Sequence, residues 1–192
     1  MALAPSKIHV GPARIFCGVT QAANGTPPVY TTHTDGVPGS GTEMGLTEGD
    51  AVFKYQLIKK PLGAEQSLAD VDVFTEGEMA SLVFTCQEQT YFALQRAFDI
   101  VGTESVAGGD AAWFGGGTAV LSPRTEVVML TSRQRNAPTK FIVTQLYKVF
   151  SVDGIEIPFR KGGPSLYKVT LNALADLTRN AGDQIGYYRF EK

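Results

Sequence analysis

Apolar residues recur at every second position in most of the longer runs of this chain, and that spacing restricts what it can fold into. Ala13, Ile15, Cys17 and Val19 alternate with Arg14, Phe16 and Gly18. Phe53, Tyr55 and Leu57 share one side of the run 52–58, and Ala80, Leu82, Phe84 and Cys86 share one side of another. Tyr167, Val169, Leu171 and Ala173 alternate with Lys168, Thr170 and Asn172, the pattern of a half-exposed strand. A period of two suits a pleated strand, not a helix that repeats every 3.6 residues. Further strand patterns cover Thr125–Ser132, Lys140–Val152, Leu166–Ala175 and Gly186–Phe190. The stretch Phe141–Phe150 is apolar on both sides in places. It needs either a central place in a sandwich or a cover from another chain or a helix.

Turn residues divide these runs. The chain has 21 Gly and 10 Pro in 192 residues. Residues 20–41 form a long turn-rich stretch, Pro61 and Gly63 break the run that starts at Val52, and Glu76-Gly77-Glu78 reads as a turn. Residues 103–118 read as a loop holding Trp113 and Phe114 between glycines; these either fold back onto the core or form a tip that meets a neighbouring subunit. One segment, Gln87–Val101, has helical spacing, with Leu94, Ala97, Phe98 and Val101 as its stripe and Gly102 as its stop. Many short strands and one helix predict a mainly β fold: an antiparallel β-sandwich or distorted barrel with one flanking α-helix, spanning 1–192 as a single domain.

Charge is unevenly distributed. Residues 42–78 hold eight acidic and three basic side chains, a balance of −5, and residues 123–168 hold eight basic and three acidic, a balance of +5. The whole chain is −2. Opposite patches suit a subunit that meets copies of itself head to tail, although two unrelated solvated faces give the same numbers. The near-neutral total argues against a protein built to grip nucleic acid.

Chemistry-bearing patterns are scarce. His9 and His33 are the only histidines and lack metal-ligand spacing. Cys17 and Cys86 are far apart and read as small buried apolar residues. HExxH, CxxC and GxSxG do not occur, and the glycines at 36–41 and 115–117 fit neither phosphate-binding pattern. Glu76 and Glu78 read as a solvated acidic tip, and Arg133-Gln134-Arg135 as a hairpin tip. Asn24-Gly25-Thr26 reads as a chance sequon in a turn. The expectation is no enzyme, no metal and no cofactor. The first residues show no signal peptide, and no run approaches bilayer-spanning length.

The order of several short motifs resembles the major tail (tail tube) proteins of long-tailed bacteriophages. They are Val10-Gly11-Pro12-Ala13-Arg14-Ile15-Phe16, Met44-Gly45-Leu46-Thr47-Glu48-Gly49 and Glu65-Gln66-Ser67-Leu68-Ala69-Asp70-Val71-Asp72. Leu82-Val83-Phe84-Thr85-Cys86-Gln87-Glu88 follows, leading into the helix with Leu94, Ala97 and Phe98, and Tyr187-Tyr188-Arg189-Phe190 closes the series. The resemblance implies a virion protein, made in the host cytoplasm, whose subunits form hexameric rings that stack head to tail into a tube. Its implied partners are further copies of itself, a tape-measure protein, tail terminator and distal tail proteins, and double-stranded DNA in transit without specific binding. The implied N-terminal arm is about 1–12. The implied inter-ring loop is about 46–76, with Leu57, Ile58, Lys59, Lys60, Pro61, Leu62, Glu65, Asp70, Asp72 and Glu76 as contact candidates beside Trp113 and Phe114. The alternatives are another virion ring or connector protein (terminator, head–tail connector, decoration), or a ligand- or sugar-binding β-sandwich with Trp113, Tyr187 and Tyr188 as stacking platforms.

Overall fold

The computed structural model describes residues 13–21, 23–24, 38–63, 70–88, 90–97, 102–106, 108–113, 126–134, 137–152, 156–159 and 161–190. In chain order these form β1 (Arg14–Cys17), β2 (Thr42–Glu43), β3 (Val52–Gly63), β4 (Asp70–Cys86), α1 (Tyr91–Ala97), β5 (Gly102–Val106), β6 (Gly109–Trp113), β7 (Glu126–Gln134), β8 (Ala137–Ser151), β9 (Tyr167–Ala173) and β10 (Gly186–Phe190). The fold is mainly β and antiparallel with one short helix, as the periodicity predicts. Eight strands form one sheet in the order β2-β1-β7-β8-β9-β4-β3, with β10 also on β8; β5 and β6 pair separately.

The sheet doubles over because β8 changes partner along its length. Ile142–Leu146 pair with β10, whereas Val149–Ser151 pair with β9. One layer therefore holds β2, β1, β7, β8 and β10, and the other holds β9, β4 and β3. The sheet is not closed, but at its far edge the 44–51 connection bonds to both layers. Met44 N donates to Ile15 O at 2.8 Å, and Glu48 N donates to Thr85 O at 2.9 Å.

The core lies between the layers. Ile15 and Cys17 of β1, Leu82 and Phe84 of β4, Val128 of β7, Leu146 of β8 and Val169 of β9 form one buried cluster. These are the alternating positions of each strand, so period two in sequence becomes one apolar face in space. A second cluster, Phe16, Val19, Met129, Phe141 and Val143, lies on the other face of β1, β7 and β8. Every residue from Phe141 to Tyr147 is buried, so the double-sided apolar stretch is a central strand covered on both faces. Cys17 and Cys86 are buried and free.

The outer face is covered in part by the turn that precedes β10. Arg179, 7% exposed, stacks 3.8 Å from the Tyr147 ring centroid and pairs with Asp183 at 2.7 Å. Its guanidinium also donates to Ala23 O at 3.3 Å, and the Tyr147 hydroxyl donates to Asp183 at 2.7 Å. A buried arginine needs this full set of partners to offset desolvation.

Four sequence expectations are corrected. The implied loop at 46–76 is largely strand: β3 runs through Pro61 and Gly63, and Glu76-Gly77-Glu78 lies inside β4. Pro61 is tolerated because β3 is an edge strand, where a missing N–H costs no ladder bond if it faces outward. The 103–118 loop contains the β5–β6 hairpin, whose turn places Gly108 at φ +100°, a conformation that favours glycine. The helix begins at Tyr91, not Gln87, because Gln87 N donates to Leu46 O at 2.9 Å in strand fashion. Thr90 Oγ1 then caps the helix by accepting from Ala93 N at 3.1 Å. Finally, Ala93 is the helix residue buried in the core, with Phe92 and Leu94 packed beside it. Ala97 ends the helix, and Phe98 and Val101 lie outside the described residues. So do His9, His33 and most of the 20–41 stretch.

The fold predicts an alkaline limit. Burial, aided by Asp183, pushes the Tyr147 phenol well above its usual 10.0. Burial, aided by Cys86, does the same to Tyr167, whose hydroxyl donates to Glu88 O at 2.9 Å. The unfolded chain loses these protons first, so stability is full below pH 10 and falls above it. The expected loss is about 1.4 kcal/mol per tyrosine per pH unit. Urea midpoints should drop clearly between pH 9 and pH 11, and less so in Tyr167→Phe. Equal midpoints at the two pH values would refute this.

Candidate assembly surface

β3 and β4 pair over their full length, from Val52 with Val83 to Gly63 with Asp70. Only the base of this ribbon belongs to the core: Phe53 packs against it and Ala80 is fully buried. Beyond Tyr55 and Met79 no other strand among the described residues flanks the pair, because β9 pairs with β4 only from Ser81 to Cys86. The ribbon therefore projects from the sandwich. A bulge shifts the register between Ile58, opposite Gly77, and Lys59, opposite Thr75, which leaves Glu76 as the extra residue.

The ribbon is apolar yet uncovered. Val52, Tyr55, Leu57, Ile58, Leu62, Val73, Phe74 and Met79 are each 39–54% exposed. These are eight of the fifteen exposed large apolar residues among those described. A concentration of that kind marks an interaction surface, since scattered exposed apolar residues need no explanation but a patch does. An isolated two-stranded ribbon is also marginally stable in water, so a partner on its faces would stabilise it.

Its charges are mixed. Lys60 and Glu76 approach to 3.9 Å with both side chains more than half exposed, a pair of small energetic weight. Local desolvation and a hydrogen bond to Glu78 push the Tyr55 phenol upward. The ribbon thus brings together six of the candidates, Leu57, Ile58, Lys59, Lys60, Pro61 and Leu62, on one strand, with Asp72 and Glu76 on the other. Asp70 joins the ladder through its backbone opposite Gly63. Glu65 and Phe114 fall outside the described residues, and Trp113 is placed only as the end of β6, opposite Gly102. Sequence reasoning missed Val73, Phe74 and Met79, which sit among acids; their strand partners Pro61, Lys60 and Gln56 were the available signal.

A groove opens beside the ribbon's base, between the two layers. Its volume is about 460 Å³, and Phe53, Tyr55, Glu78, Tyr187 and Tyr188 line it. A second hollow of about 550 Å³ shares Phe53 and Tyr188 and extends toward Leu130 and Ile142. Gly186 is required at the groove floor, because a Cβ there would lie 2.2 Å from Gln145 O. Tyr188 also meets Phe190 edge to face at 5.0 Å. Among the described residues, no group of three or more His, Cys, Asp or Glu side chains is arranged to hold a metal, and no helix is long and apolar enough to cross a membrane. No protein-family model and no curated protein matches the chain.

Proposed function

We propose that this protein is a structural, non-catalytic virion subunit that self-assembles head to tail into stacked rings forming the tail tube of a long-tailed bacteriophage. The observation that carries the reading is the projecting β3–β4 ribbon, whose large apolar residues are 39–54% exposed. Burying a large apolar side chain contributes about 1.5–3 kcal/mol, and the ribbon offers several. The sequence resemblance supplies the tube and its implied hexameric rings, and the −5 and +5 regions supply a charge register between copies. In this reading the ribbon reaches the next ring and the tape-measure protein, then DNA, occupies the bore without being held.

Negative-stain microscopy of the purified protein tests the reading: rings or tubes of uniform diameter are expected at tens of micromolar protein. A strict monomer by light scattering, unchanged by salt, by time and by seeding with preformed tail tips, would overturn it. Single closed rings that never stack would favour the terminator or connector alternative. The aromatic groove favours a second reading, a sugar-binding sandwich, which predicts saturable oligosaccharide binding by a monomer.

A further inference from the structure

The groove between the layers contains aromatic rings and one carboxylate, and no lysine or arginine lines it among the described residues. Tyr55 and Tyr188 are about half exposed there, and Glu78 is also exposed. Such a site favours an aromatic or aliphatic plug that carries a cation beside it.

The chain itself has such a plug. Phe159, in the connection between β8 and β9, is 88% exposed, the highest value among the exposed large apolar residues described. Two residues on, Lys161 is exposed as well, while Ile157 and Pro158 are partly buried and root the segment. The connection leaves β8 at Ser151, opposite Leu171 of β9. The connection re-enters the sheet at Tyr167, opposite Cys86, whereas the groove is lined by Ala173 and Ala175. The seven residues from Tyr167 to Ala173 span about 20 Å of strand. Phe159 is not among the residues lining its own groove.

We propose that Phe159 of one copy inserts into the aromatic groove of the next, with Lys161 meeting Glu78. The inference rests on the self-assembly proposed above and names one of its contacts, distinct from the ribbon. The two surfaces differ, so the contact is heterologous: each copy gives one plug and receives another, and the chain of contacts closes into a ring or runs on. The acidic 42–78 and basic 123–168 regions fall on opposite sides of this joint, with Glu78 in the first and Lys161 in the second.

Paired cysteine variants test it under conditions where the wild type assembles. Gly162→Cys and Ala175→Cys each add one accessible thiol and leave Phe159 in place, since Cys17 and Cys86 are buried and a side chain at Gly162 meets nothing within 4 Å. With a short bismaleimide, the double variant should give a ladder of covalent multimers. An equimolar mixture of the single variants should give dimers only, and each single variant alone should stay monomeric. Independently, Phe159→Ser should raise the protein concentration needed for assembly at least tenfold while leaving the melt unchanged, and exchanging the charges in Glu78→Lys/Lys161→Glu should restore assembly lost in either single reversal. If Phe159→Ser forms normal tubes and no 162–175 cross-link appears, this contact is wrong while the tube reading stands. Covalent dimers of Gly162→Cys alone would point to a two-fold contact and overturn the head-to-tail arrangement. A wild type that never assembles overturns both proposals.

Discussion

Cutting the β3–β4 ribbon back to its base is expected to abolish the proposed stacking and to leave the subunit folded. The variant replaces residues 59–76 with Asn-Gly, so that Ile58 and Gly77, already opposite each other, flank a two-residue hairpin turn. Phe53, Ala80 and all other core residues of β3 and β4 stay in place. Lys59–Gly63 and Asp72–Glu76 are exposed, so the melt should move by no more than about 1 kcal/mol in stability. Leu62, Val73 and Phe74 are lost as apolar contacts, and such losses repeat at every joint of a polymer. Sedimentation and microscopy should show single rings or monomers at concentrations where the proposed assembly has the wild type form long tubes. Reversing Asp72 and Glu76 to Lys should do much less, since exposed ion pairs contribute about 0–1 kcal/mol each. Tubes of normal length from the truncated protein would mean that the ribbon is not the stacking element.

Phe84→Ala produces the opposite phenotype: loss of the fold. Phe84 is 1% exposed at the middle of the interlayer core, opposite Val169 in the β4–β9 ladder. Both layers pack on it, so the cavity left behind collapses poorly. The expected cost is about 3–5 kcal/mol, a large share of the stability of a domain this size. Leu57→Ala, on the exposed part of β3, should cost less than about 0.5 kcal/mol by contrast. The two measured by chemical denaturation separate the core end of the β3–β4 pair from its assembly end. Equal losses would mean that the ribbon is packed within its own subunit.

Where one face of a strand is buried and the other wet, sequence alone determined the structure. Ala80, Leu82, Phe84 and Cys86 alternate in sequence and are all buried in the fold, and Tyr167, Val169 and Leu171 behave alike. The Phe141–Phe150 stretch announced its two covered faces by being apolar at successive positions. The base of the ribbon, 52–58, is legible as a strand, but beyond Ile58 both faces are exposed, so no alternation is imposed and Pro61, Gly63 and Gly77 look like breaks. Leu57, Ile58 and Leu62 were legible as apolar contact candidates, but their projection from the sandwich depends on where β9 stops pairing with β4. The late start of the helix was decided by a long-range bond from Gln87 to Leu46 that no local propensity encodes. Phe159 carries no signal of its own: an exposed phenylalanine and a buried one are the same letter, and only the packed sandwich leaves this one outside. Local pattern thus set the strands and their buried faces, while the partner change along β8, which folds one sheet into two layers and opens the groove, came from tertiary packing between residues far apart in the chain.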